Sequence, residues 1–365
     1  MPEPDHVGSF EIGVANRAFV AYAAREGLSA ASLLPEDEFI RPLLHSIADR
    51  LATYPMAPMA AARVPLHIGV IDHPEPNAFA DWSDGAGYLV IHSGQIVSAA
   101  EAAIQMQDAL GAFSQNPAGA TGQDEAPALT TPLGVTSFLD HLRGVDDGQN
   151  LFKEQKDPQD PATRRATLFI AACIQFTYLH EFGHVVNGHL GWLSRHQRRP
   201  RLREVGLGRT EASADERQVL RFFEHEADVF ALEVLLRSAY RNAANENELI
   251  VTMLAFLCTV FGWSVLEETP GLGGSQEHPQ ARDRMLALPL ALMGVLTQIP
   301  EAAERVQAAV QRCDAIVSRV ASKYPPFAMM RAIFSTEAVE RADAIGGWMG
   351  EMDRLTADRT SNPLP

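Results

Sequence analysis

The chain has 365 residues, 46% of them hydrophobic and 21% charged, with a formal net charge of -16. That balance places it among globular proteins with one large core or two modest ones and excludes disorder by composition. The acidic excess argues for solubility and against a nucleic-acid or anionic-membrane surface as the main business of the protein. The first residues, "MPEPDHVGSFEIG", carry acids where a signal peptide carries bases, and no apolar run follows. Cys173, Cys258 and Cys313 are odd in number and far apart, which fits neither a disulfide framework nor a cysteine metal knot. A reducing, cytoplasmic setting is the simpler expectation.

In chain order, residues 36–53 place Ile40, Leu43, Leu44, Ile47 and Leu51 at the three-and-four spacing of an amphipathic helix. Two β-like runs follow near 64–71 and 88–96, separated by turn signals such as Ser83-Asp84-Gly85, and predict a small sheet of about three strands. A helical piece is expected near 97–113. Residues 114–162 contain two stretches rich in Pro, Gly, Asp and Gln and read as a loop-rich insertion. A long helix is predicted from Thr163 to about Gly188, and a second near 211–241. Between them, "RHQRRPRLREVGLGR" carries six arginines against one glutamate and reads as solvated loop or a dock for an acidic partner. Leu249 to Leu266 is uncharged for 18 residues, the lower limit of a membrane span. Glutamates bracket it and small residues form a stripe along it, so a buried core helix is expected rather than a span. Amphipathic helices from Glu301 onward form a C-terminal cap.

The chemistry concentrates in "YLHEFGHVVNGHL", residues 178–190. On a helix His180 and His184 stand one turn apart and point the same way within about 40°. That is the bite a single Zn²⁺ needs, and Glu181 lies beside it, where a base could take a proton from water. Burying three such residues in an apolar helix costs several kcal/mol unless something compensates them, and a metal does so. His189, nine residues after His180, falls on the opposite side of a continuous helix and reads as a solvent-side or helix-end residue. The third ligand is expected from "EHEAD": Glu224 reaches the metal, and Asp228, one turn on, accepts a hydrogen bond from a ligand histidine. Glu226 is the competing ligand, but no carboxylate follows it one turn later.

"HEFGH" followed about forty residues later by "EHEAD" resembles the gluzincin metallopeptidases, in particular the M48 family that includes HtpX and the CAAX prenyl protease. "PEPNAFA" resembles the Asn-Ala-Phe segment upstream of the zinc helix in that family, and "EHPQARDRMLAL" its downstream His-Pro element. The resemblance spans roughly residues 36–290. It implies His180, His184 and Glu224 as zinc ligands, Glu181 as general base and Asp228 behind the ligands. It also implies that Asn77, Ala78 and Phe79 border a substrate-binding edge strand, and that His278 and Arg284 lie near the active site, where His278 is expected to serve catalysis by stabilising the oxyanion of the tetrahedral intermediate. A weaker resemblance is to the soluble regulatory zinc peptidases such as ImmA and the phage-exclusion protease Lit. The spanning helices of the membrane relatives are missing here, apart from the doubtful 249–266.

The expectation is an α+β, mainly α-helical, zincin-like protein. Residues 1–35 form an N-terminal extension, 36–295 the metallopeptidase domain and 296–365 the helical cap. It would hydrolyse a peptide or protein substrate with one Zn²⁺ per chain. The alternatives are a catalytically silent zinc-stabilised regulatory protein and a membrane-associated M48-type protease. Oligomeric state and natural substrate are not written in the sequence.

Overall fold

A computed structural model describes residues 10–30, 40–52, 64–75, 77–100, 161–197, 201–203, 213–242, 247–267, 279–323 and 327–361. The architecture is α+β and mainly helical. Its sheet contains β1 (Phe10–Val14), β2 (Val64–Ile71), β3 (Ala78–Ser83), β4 (Ala86–His92) and β5 (Arg201–Arg203), in the order β1-β2-β4-β3-β5. The first two pairings are parallel and the last two antiparallel. β3 and β4 are joined at Asp84 (φ 52°) and Gly85 (φ 75°), the left-handed pair that a two-residue hairpin turn needs.

Among the described residues, five strands therefore stand where about three were expected. β1 lies in the segment read as an extension, and β5 in the arginine-rich loop. They are 5 and 3 residues long, too short to show a clear alternation, and pairing with a neighbour is what makes them strands. β5 also changes the view of the substrate edge. It pairs with β3 over Phe79–Asp81, so the edge expected to receive an extended peptide is already occupied there. Residues 93–100 are helical, starting a few residues earlier than the sequence suggests.

The two faces of the sheet are covered differently. On one, Phe79, Tyr88 and Val90 pack with Phe19 and Tyr22 of α1 (Arg17–Arg25), and Gly69 leaves the room that the Phe19 ring fills. On the other, Ala78, Ala80, Leu89 and Ile91 meet the main core of α2 (Ile40–Ala52), α3 (Pro161–Val186), α5 (Ala214–Asn242) and α6 (Asn247–Glu267). α3 packs on β3, β4, α5 and α6, so it is apolar on all sides rather than along one stripe. Tyr178 in α3 donates to the Gly69 carbonyl at 2.9 Å and ties this helix to β2.

α5 begins with a reciprocal cap. Ser213 N–H donates to Glu216 Oε2 at 2.7 Å, and Glu216 N–H to Ser213 Oγ at 3.2 Å. α6 is a core helix, with Met253, Leu254, Phe256, Leu257 and Val260 all buried. Its Ala255 carbonyl accepts from Cys173 of α3, so the small-residue stripe is a helix contact. Among the described residues, no helix is long and apolar enough to cross a membrane. Cys173, Cys258 and Cys313 are buried free thiols, and burial pushes Cys173 up to about 12.

The later helices, α7 (Ala287–Gln298), α8 (Ala303–Lys323) and α9 (Thr336–Leu355), share this core: Val295, Ala309, Cys313 and Ala338 belong to the same cluster as α3. A short helix, Asp358–Ser361, the last among the described residues, packs against α4 (His189–Gln197).

Candidate metal centre

The site is made by the close crossing of α3 and α5. A Cβ at Gly183 would stand 3.1 Å from Phe230 Cδ1 and 3.2 Å from Ala227 Cα, tighter than ordinary packing. Glycine in "HEFGH" and alanine in "EHEAD" thus let two buried helices approach where their polar residues face each other. His180, Glu181, His184, Glu224 and Asp228 are all at most 1% exposed.

His180 Nε2 and His184 Nε2 lie 3.0 Å apart. Glu224 presents Oε2 at 3.5 Å from the first and Oε1 at 3.8 Å from the second. These three residues offer ligand atoms within 4.8 Å of one another. Glu181, between the histidines on α3, is buried with them.

The far side of each ring decides what these nitrogens can do. His180 Nδ1 is 2.8 Å from Asp228 Oδ1. Burial pushes the Asp228 carboxyl up, but the Arg284 guanidinium and then His180 outweigh it and hold it below its usual value. An ionised carboxylate only accepts, so Nδ1 of His180 carries the proton and Nε2 the lone pair. Arg284 forks onto the same carboxylate, Nε to Oδ2 at 2.9 Å and Nη2 to Oδ1 at 2.8 Å. Its guanidinium lies 3.9 Å from the centre of the Trp263 ring, whose Nε1–H donates to Gln95 Oε1 at 3.2 Å.

His184 is supported from the opposite direction. α3 stops at Val186, and Gly188 takes φ 77°, the left-handed conformation that closes helix ends. The chain turns and a new helix, α4, starts at His189, so the long helix ends close to where the sequence predicts and His189 stands at a helix end, but buried rather than on the solvent side. His189 is fully buried, its ring stacked on Phe223, with Nδ1 2.8 Å from His184 Nδ1 and Nε2 2.7 Å from Glu226 Oε2. Burial pushes Glu226 up, but the bond to His189 and the Arg359 charge outweigh it and keep it below its usual value. His189 then donates from Nε2, and as a neutral ring it accepts at Nδ1 the proton of His184 Nδ1. Burial holds both rings below their usual value, which keeps them neutral.

Both histidines therefore aim an Nε2 lone pair at the same point, beside a carboxylate. Two lone pairs 3.0 Å apart repel, whereas ligand nitrogens at about 2.0–2.1 Å from a tetrahedral zinc would stand roughly 3.3 Å apart. The donor set fits a divalent ion of the zinc type.

Of the other expected site residues, Arg284 is brought to Asp228. Asn77 is buried; its Oδ1 accepts from the Ala78 N–H at 2.9 Å and its carbonyl from the His92 N–H at 2.9 Å. Ala78 faces the main core, while Phe79 packs on the α1 side of the sheet, away from α3. His278 lies outside the described residues, as do residues 101–160, which hold most of the expected insertion. Glu226, weighed as a ligand, is turned onto His189 and Arg359 instead. The sequence reading missed His189, Trp263 and Arg359; only the first had a local signal, the Asn187-Gly188 pair that ends a helix.

A family model described as Peptidase U49 matches residues 144–293, a stretch that includes His180, Glu181, His184, Glu224, Asp228 and Arg284. The likeness is to a peptidase family, and that family is not the M48 family whose motifs the sequence resembles. No curated protein and no solved structure matches the chain.

Proposed function

We propose that this protein is a zinc-dependent metalloendopeptidase, with His180, His184 and Glu224 as ligands and Glu181 as general base. The observation that carries the reading is the pair of facing Nε2 lone pairs, each enforced by a hydrogen bond behind its ring, next to the Glu224 carboxylate. Zn²⁺ in this donor set would supply Lewis acidity for the scissile carbonyl and lower the pKa of a water toward about 7. Glu181 takes the proton of the attacking water and returns it to the leaving amine. The surrounding apolar side chains keep that exchange in a low-dielectric setting, where a charge–dipole interaction is stronger than in water. Asp228 and His189 hold the two imidazoles in their ligand tautomers, and Arg284 keeps Asp228 ionised. The family likeness supports peptide-bond hydrolysis as the reaction class.

The test is Glu181→Gln in the full chain, with zinc per chain by elemental analysis and cleavage of an unstructured protein substrate measured on the same preparations. The expected result is about one zinc in both proteins and a loss of cleavage of about 10²–10⁴-fold in the variant, the usual worth of a positioned base. Zinc without cleavage in the wild type would instead favour a regulatory protein that keeps its metal for folding. A well-folded wild type that holds no zinc after exposure to excess Zn²⁺ would end the metallopeptidase reading.

A further inference from the structure

The hydrogen bonds behind His184 continue past His189 to Arg359. Glu226 accepts from His189 Nε2 at 2.7 Å on one oxygen and from Arg359 Nη2 at 2.7 Å on the other. Arg359 belongs to the last helix, Asp358–Ser361, yet is only 1% exposed. It is held in place by Asp353 Oδ1 at 2.7 Å, the Thr356 carbonyl at 3.2 Å and Thr356 Oγ1 at 3.0 Å, with its guanidinium 5.1 Å from the centre of the Phe222 ring. A buried arginine needs such partners, and a carboxylate bound by two donors has a fixed orientation and a fixed charge.

We infer that Glu226 and Arg359 are positioning residues for the metal centre, acting through His189 to hold His184 in the tautomer whose Nε2 faces Glu224 and His180. The inference rests on the metal reading of His180, His184 and Glu224, and it extends the site to a residue 133 positions after Glu226 and beyond the stretch that matches the peptidase family. The logic is directional. A carboxylate at 226 forces His189 to donate from Nε2 and accept at Nδ1, which forces His184 to donate from Nδ1. If 226 presented an N–H instead, His189 would accept at Nε2 and donate from Nδ1. His184 would then hold its own proton on Nε2, where it blocks a metal. Arg359 only donates, so it needs an accepting oxygen at 226; with an amide there the oxygen would face Arg359 and the NH2 would face His189 Nε2, whereas the Glu226 carboxylate accepts from both.

Two near-isosteric changes test this, Glu226→Gln and Arg359→Met, with Arg359→Lys as the conservative rescue. The first readout needs no metal: ring-nitrogen NMR shifts of ¹⁵N-histidine-labelled, metal-free protein. Wild type should show His184 protonated at Nδ1 alone, and Glu226→Gln should move population to Nε2–H. The second is the zinc dissociation constant by chelator competition, expected to rise about 10–100-fold in Glu226→Gln. A smaller rise is expected in Arg359→Met, and most of the affinity should return in Arg359→Lys. Thermal midpoints of the metal-free proteins separate this from plain destabilisation: a purely structural role would lower the midpoint and leave tautomer and affinity alone, and that result overturns the inference. Wild-type tautomer and affinity in Glu226→Gln would overturn it as well. A wild type that binds no zinc would defeat the metallopeptidase reading instead, and the tautomer spectra would still decide whether Glu226 and Arg359 position His184.

Discussion

Among the described residues, two groups have the same ligand types, and the hydrogen bonds behind their rings differ. His180, His184 and Glu224 lie at the crossing of two buried helices; His73, Glu75 and His92 lie where β2 and β4 end, and they too offer ligand atoms within 4.8 Å of one another. The hydrogen bonds behind the rings set them apart. In the first group each Nδ1 donates outward, and both Nε2 lone pairs converge. In the second, His73 accepts the Glu75 N–H at Nδ1 (3.2 Å), which puts its own proton on Nε2, while His92 Nδ1 lies 3.2 Å from the Glu75 carbonyl and donates to it. One ring is thus in the tautomer opposite to the one that a converging site needs, and its side chain is 39% exposed, so water already serves it. Ligand composition is the same in both groups; what differs is the outer hydrogen bonds, which choose the tautomer and orient the rings.

That contrast can be broken in three ways, in decreasing order of effect. Glu224→Ala removes the carboxylate that faces both Nε2 atoms, and zinc per chain should fall from about one to near zero, a greater loss than the roughly 10–100-fold cost of an outer-shell change. Asp228→Asn keeps the shape but can offer an N–H to His180 Nδ1 and strands the Arg284 fork. Its zinc affinity should drop by about 10–100-fold, read by chelator competition, with the metal-free protein also losing stability because the buried Arg284 loses its bidentate charge partner and keeps the more distant Glu224 Oε2 at 3.6 Å. The double change of His73 and His92 to alanine should leave zinc stoichiometry and affinity within about twofold of wild type, since outer-shell losses of 10–100-fold apply only to groups behind a ligand. A second zinc per chain that vanishes with that double change would erase the distinction.

Within one helix, the sequence by itself carried the site. His180, Glu181 and His184 are related by the 3.6-residue period alone, and so are Glu224 and Asp228, so their mutual placement was readable once each segment was known to be helical. The buried nature of α6 was legible for the same reason, because bracketing glutamates and a small-residue stripe are local features. What lay beyond reach depended on chain segments meeting at a distance. β1 and β5 are strands only because a neighbour pairs with them, and β5 thereby covers an edge that the sequence left open. His189 joined the site because Gly188 reversed the chain, and Arg359 because the C-terminal helices packed on α5 and carried it to Glu226. Local periodicity decides which atoms share a helix face, whereas the proton position on His184, and with it the use of that face, is decided by partners that only tertiary packing brings within hydrogen-bond distance.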